Sequence, residues 1–150
     1  NSVLFWSLLS CLIAQFFKII FNFFSTGKIK FGIMFETGGM PSSHSALITG
    51  ATSGLGYELG FDSSIFALAV AVALIVMYDA SGVRKSAGIQ AAEINKLSKK
   101  LDPKSELILK ETLGHTKTEV MVGSFLGPLI TLPGMFFLGS PLKIFDLLIN

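Results

Sequence analysis

Gly38-Gly39-Met40-Pro41-Ser42-Ser43-His44-Ser45 sets one of the chain's two histidines between a glycine pair and the start of an apolar, small-residue run. The other histidine lies in Leu113-Gly114-His115-Thr116-Lys117-Thr118-Glu119, which follows the same order of glycine, histidine, hydroxyl residue and apolar run. Both turns read as helix starts, where unpaired backbone N–H groups and the positive end of the helix dipole favour an anion. Two such starts facing one another make a phosphate cradle. Gly38, Gly39 and Gly114 permit close backbone approach, while Ser42 and Ser43 add donors. Lys28, Lys30, Arg84 and Lys110 are the candidate counter-charges.

The composition around these turns is that of a membrane protein. About half of the 150 residues are hydrophobic, mean hydropathy is positive and there are 14 phenylalanines, more than a soluble domain of this size carries. No linker and no internal repeat divides the chain, so residues 1–150 read as a single domain. The lone cysteine, Cys11, has no partner for an internal disulfide and reads as a small apolar residue. The run from Asn1 to Phe24 is too long and too aromatic for a cleaved signal peptide, and reads as a genuine span.

Taken in order, Val3 to Phe24 is long enough to cross about 30 Å of hydrocarbon, with Lys18 near one end where its stem can snorkel. Ser45 to Gly60 is rich in Ala, Gly, Ser and Thr, which suits close helix packing inside a bundle more than a lipid-facing surface. Gly60-Phe61-Asp62 is a tight turn. Ser63 to Tyr78 is an uncharged span, and Val120 to Leu142 is another, broken by Gly123, Gly127, Pro128, Pro133 and Gly134. Between them, Asp79 to Thr118 holds eight of the 12 basic residues. There Val83, Ala87, Ala91, Ile94, Leu97 and Leu101 recur as in an amphipathic helix lying on the bundle or on the membrane surface. Asp102-Pro103 reads as the start of a second short helix that Gly114 ends.

The expected fold is therefore all-α, an integral membrane helical bundle of about four transmembrane segments plus amphipathic helices. Counting crossings brings both histidine turns and the basic insert to one face. The lysine and arginine excess makes that face cytoplasmic in a multi-pass protein.

On that face, the four-residue spacing of His115 and Glu119 lets the carboxylate accept a hydrogen bond from one ring nitrogen, leaving the other as a nucleophile. A helix start disfavours imidazolium and keeps that nitrogen neutral. His44 reads as a general acid for the leaving oxygen. Thr116 and Glu119 also satisfy a capping box, which needs no chemistry. Two imidazoles and a carboxylate could alternatively hold zinc.

At these residues the chain resembles the divergent branch of the phosphatidic acid phosphatase type 2 superfamily, whose other members include lipid phosphate phosphatases and vanadium-dependent haloperoxidases. The resemblance covers nearly the whole chain and rests on Gly38 to Ser45, on Tyr78-Asp79-Ala80-Ser81-Gly82-Val83-Arg84, and on Leu113-Gly114-His115 with Glu119. It implies a helical bundle with a phosphate site at helix ends, His115 as nucleophile, Glu119 as its orienting acid and His44 as general acid. Ser43 stands where the superfamily has glycine. Lys110 is the nearest counterpart of an arginine and Arg84 a second source of charge; Lys18, Lys28 and Lys30 are the candidates for a further lysine. The resemblance implies a membrane acid phosphatase acting on a lipid or prenyl phosphomonoester or pyrophosphate through a phosphohistidine. The expected partners are that substrate and the bilayer, with no nucleic acid, metal or other cofactor. The alternative is a non-catalytic membrane protein that uses the cradle for anionic lipid binding or transport.

Overall fold

The computed structural model describes residues 1–29, 32–33, 38–106 and 108–149, with the backbone alone at 146–148. Among them there is no strand. Helix α1 runs Ser2–Thr26, α2 Ser43–Leu59, α3 Ser64–Ser81, α4 Val83–Leu101 and α5 Lys117–Pro133. A π-helical turn at Gly134–Leu138 prolongs α5, and the short α6 follows at Pro141–Ile149.

Polar residues set the helix starts, each accepting from an N–H that the helix leaves unpaired. Asn1 caps α1, Ser42 caps α2, Ser63 caps α3, and Thr116 with Glu119 forms a full capping box on α5. Gly27, at φ 67°, ends α1 in the left-handed conformation.

Contacts fix the directions. Ser10 Oγ lies 3.1 Å from the Ala46 carbonyl and Gly54 packs on Val3, so α1 and α2 are antiparallel. Gly123 meets the Ser42 carbonyl, Gly127 meets Ala46 and Gly54 approaches Met135, so α2 and α5 run parallel. Thr52 Oγ1 reaches the Ala69 carbonyl at 3.3 Å, which makes α3 antiparallel to α2. Helix α2 is thus the centre, with its main packing against α5, α1 and α3.

Small residues make this possible. A methyl on Gly127 would strike the Ala46 carbonyl, Thr49 Oγ1 and the Gly50 nitrogen. One on Gly50 would lie 2.7 Å from Thr131 Oγ1 and 3.0 Å from Ser10 Oγ. The α2–α5 seam therefore closes at backbone distance, as in membrane helix pairs. At the far end Val3, Trp6 and Met135 form a buried cluster, and Trp6 Nε1 donates to the Gly139 carbonyl at 2.9 Å. The outward rows of α1, α3 and α5, among them Leu8, Phe16, Leu68, Ile75, Phe125 and Leu129, are exposed. So wide an apolar surface belongs in a bilayer.

Among the described residues three helices are long and apolar enough to cross a membrane: α1, α3 where it runs on into α4, and α5 with its π-helical turn. The sequence led to an expectation of about four. The fourth, α2, is too short and too rich in small polar residues to qualify, because its neighbours cover the surface that lipid would otherwise meet.

Two further expectations are corrected. Residues 102–106 and 108–116 are not helical. Asp102 makes a turn instead, its Oδ1 accepting from the Lys104 N–H at 3.0 Å and its carbonyl from the Ser105 N–H at 2.9 Å. The chain then lies along α4 as a strap, where Asn95 donates to the Leu109 carbonyl and accepts the Leu109 N–H, both at 2.8 Å. Lys18, expected to snorkel, is only 2% exposed and points into the bundle face that carries the histidines.

Candidate active site

The starts of α2 and α5 lie side by side rather than head to head, tied by a 3.0 Å hydrogen bond from the Ser42 N–H to the Glu119 carbonyl. Both present their free N–H groups to the same face. Ser42 Oγ is fully buried and accepts from the Ser45 N–H at 3.3 Å and from Ser45 Oγ at 2.9 Å, so its hydroxyl is committed to the cap. Ser43 is 1% exposed; its hydroxyl abuts the Cys11 thiol of α1 and makes no hydrogen bond of ordinary geometry. A donor from Ser43 to a bound anion would therefore be its backbone N–H.

His115 is positioned from three sides. Its backbone N–H donates to the Ala80 carbonyl at the end of α3, 2.9 Å away. Gly114, at φ 76°, is pressed against the backbone of Arg84 and Lys85, leaving no room for a Cβ. Its Nδ1 lies 3.1 Å from Glu119 Oε2, and that same oxygen accepts the Thr116 N–H at 3.0 Å. The capping box and the orienting carboxylate are thus one group doing both jobs.

An ionised carboxylate can only accept, so Nδ1 carries the proton and Nε2 holds a free lone pair. Nε2 is buried and has no hydrogen-bond partner among the described residues. Burial pushes the His115 pKa below the ordinary 6.5, and the positive charge of Lys18 adds to this. The bond to Glu119, its negative charge and the Gly39 carbonyl pull the other way without prevailing.

Glu119 and Gly39, which act on this ring, also line a cavity of about 260 Å³ together with Lys18, Asn22, Met40, Phe21, Ser25 and Ile33; neither histidine lines it. Lys18, one of the three candidates for a further lysine, puts its charge on the ring. The signal was present, since a charge inside a spanning helix is expensive unless it serves a site. Its position near the helix end made snorkelling the simpler reading.

His44 sits in the first turn of α2 and is exposed, and the charges of Arg84, His115 and Lys18 all act on its ring. Arg84 is therefore brought to the site. Its Nε is also bound to Asp79 Oδ2 at 2.6 Å. Lys110 is not brought there: its neighbours Leu109 and Glu111 are held by Asn95, about 16 Å along α4 from Arg84. Lys28 is exposed just past the end of α1, about 15 Å beyond Lys18 along the chain. Lys30 lies outside the described residues. Among the described residues no group of three or more His, Cys, Asp or Glu is placed to hold a metal ion, so the zinc alternative has no ligand set there.

A helical membrane protein whose two histidines stand at neighbouring helix starts, one oriented by a carboxylate and both beside a buried lysine, has the site plan of a phosphatidic acid phosphatase-like protein. The profile of the Divergent PAP2 family matches residues 1–130, and the chain belongs to that family. It is similar to the Uncharacterized membrane protein YuiD of Bacillus subtilis (strain 168), at 39% identity over 151 residues that cover 91% of this chain and 96% of that protein. No solved structure matches it. The protein is thus a PAP2-like integral membrane protein.

Proposed function

We propose that the protein is a phosphatase for a lipid or prenyl phosphomonoester or pyrophosphate, working through a phosphohistidine at His115. The observation that carries this reading is the His115 ring itself: Nδ1 bound to Glu119, Nε2 buried without a hydrogen bond of ordinary geometry among the described residues, and a nearby cavity that Lys18, Gly39 and Glu119 line. The Nε2 lone pair forms the N–P bond as the P–O bond to the leaving group breaks, and His44 gives its proton to the departing oxygen. Water then attacks phosphorus and passes its proton to His44. The N–P bond breaks, its electron pair returns to Nε2, and inorganic phosphate leaves. Glu119 holds the tautomer and stabilises the positive charge that the ring acquires during attack. Lys18, Arg84 and the N–H groups of Gly39 and Ser43 form the anion cradle. No metal or other cofactor takes part in these steps. The basic residues of α4 and the strap support a cytoplasmic orientation of this face in a multi-pass protein.

A second reading is favoured by a cationic clamp that is only partly free for an anion. Arg84 is paired with Asp79 and Lys110 is held away along α4. Such a clamp suits a non-catalytic protein that binds or carries anionic lipid. Phosphate release from a panel of lipid and prenyl phosphates in detergent, comparing wild type with His115→Ala, separates the two. Turnover that disappears in the variant supports the phosphatase; binding without release in the wild type supports the carrier.

A further inference from the structure

We propose that α4 lies in the bilayer surface, its apolar row sunk among the lipids and its lysines drawing anionic headgroups. At about 100° per residue, Val83, Ala87, Ile94, Leu97 and Leu101 fall on one face of the helix, and all five are exposed. The bundle does not take this row. The side of α4 that is buried is a different one, made of Gly88, Ala91 and Asn95. The strap occupies it: Gly88 lies against the Glu111 and Leu113 carbonyls, and Asn95 holds Leu109.

Two observations say what covers the row. First, it continues the lipid-facing side of α3, since Leu74, Ile75, Tyr78 and Val83 line one hollow that passes across the α3–α4 junction, where Asp79, paired with Arg84, also borders it. A helix leaving the end of a membrane span with its apolar row on that side meets the same lipid. Second, Lys85, Lys96, Lys99 and Lys100 fall roughly opposite the row, and among the described residues only Lys96 has an acidic side chain in contact, Glu93 at 2.7 Å. An apolar row with a lysine-rich opposite side is the pattern of an interfacial helix, and each lysine near an anionic surface adds to the attraction. Exposed Ile89 lies off the row, on the lysine side. The arrangement would set Arg84 and His44 at headgroup depth, where a lipid's phosphate is found.

The test uses the full chain in a Cys11→Ser background, reconstituted in nanodiscs of phosphatidylcholine alone or mixed with phosphatidylglycerol. Nitroxide labels are attached through Ile94→Cys, Leu101→Cys or Lys99→Cys, all exposed positions that folding does not require. With anionic lipid present, the first two labels should be relaxed by oxygen about fivefold more than by a water-soluble nickel chelate, and the third should show the reverse preference. An Ile94 label as open to nickel as the Lys99 label overturns the proposal. A label shielded from both reagents also overturns it, because a protein surface then covers the row. If omitting phosphatidylglycerol changes nothing at position 94, the role given to the lysines is wrong.

Discussion

Glu119 Oε2 accepts both the Thr116 N–H and the His115 Nδ1–H, so the helix cap and the proposed chemistry depend on a single oxygen. Glu119→Gln separates them. A glutamine can still close the capping box, so thermal stability in detergent should change little. Phosphate release should fall by about 10²–10⁴, as when a neutral amide replaces the carboxylate behind a catalytic histidine. Equal loss of both would make Glu119 merely structural. The titration of His115 has a definite sign. Its folded-state pKa lies below the ordinary 6.5 because of burial. The stability gained by keeping it neutral is complete above pH 6.5 and is lost as the pH falls toward the folded value. Since the chain has two histidines, NMR of His44→Gln follows His115 alone; its midpoint should lie below 6.5. Lys18→Met keeps the volume of a side chain that is 2% exposed but removes its charge. KM for a phosphorylated substrate should rise at least tenfold, with helix content by circular dichroism preserved. The contact between His115 and Glu119 was legible because four-residue spacing leaves little freedom. The inward turn of Lys18 was not, because only the packing of α1 against α2 and α5 tells a lysine that snorkels from one that turns inward.

Helices α2 and α5 meet through glycine. A Gly127→Ala methyl would collide with backbone on α2, and the partners cannot yield without opening the seam that carries both helix starts. The expected destabilisation is about 1–3 kcal/mol, read as a lowered melting temperature in detergent, with activity falling alongside. An unchanged melting temperature would contradict the close approach. Apolar runs and polar caps made α1, α3 and α5 plain in the sequence to within a few residues. The segment after Asp102 misled because aspartate followed by proline begins turns as readily as helices. What decides between them is non-local: Asn95, which nothing in the sequence marks, holds Leu109 and Glu111 across α4. Lys110 stays away from the site for the same reason, although its spacing from His115 resembles that of a phosphate ligand.

As a whole, the molecule gathers the starts of α2 and α5, the ends of α1 and α3, and, among the described residues, nearly all the basic ones at one face. The positive-inside rule supports the proposal that this face is cytoplasmic. In a Cys11→Ser background, a membrane-impermeant maleimide should label Lys104→Cys only in inverted vesicles and Asp62→Cys only in right-side-out ones. The opposite pattern would reverse the topology. The polar character of α2 is explained at this scale too: a helix enclosed by three others needs small residues more than apolar ones. The central claim, covalent chemistry at His115, is tested most directly by quenching the enzyme in alkali during turnover of a radiolabelled prenyl phosphate. An N–P bond survives alkali, so label should remain on the wild-type protein and be absent from His115→Ala. Turnover by the wild type with no label on the protein, or label of equal intensity on the variant, would contradict it.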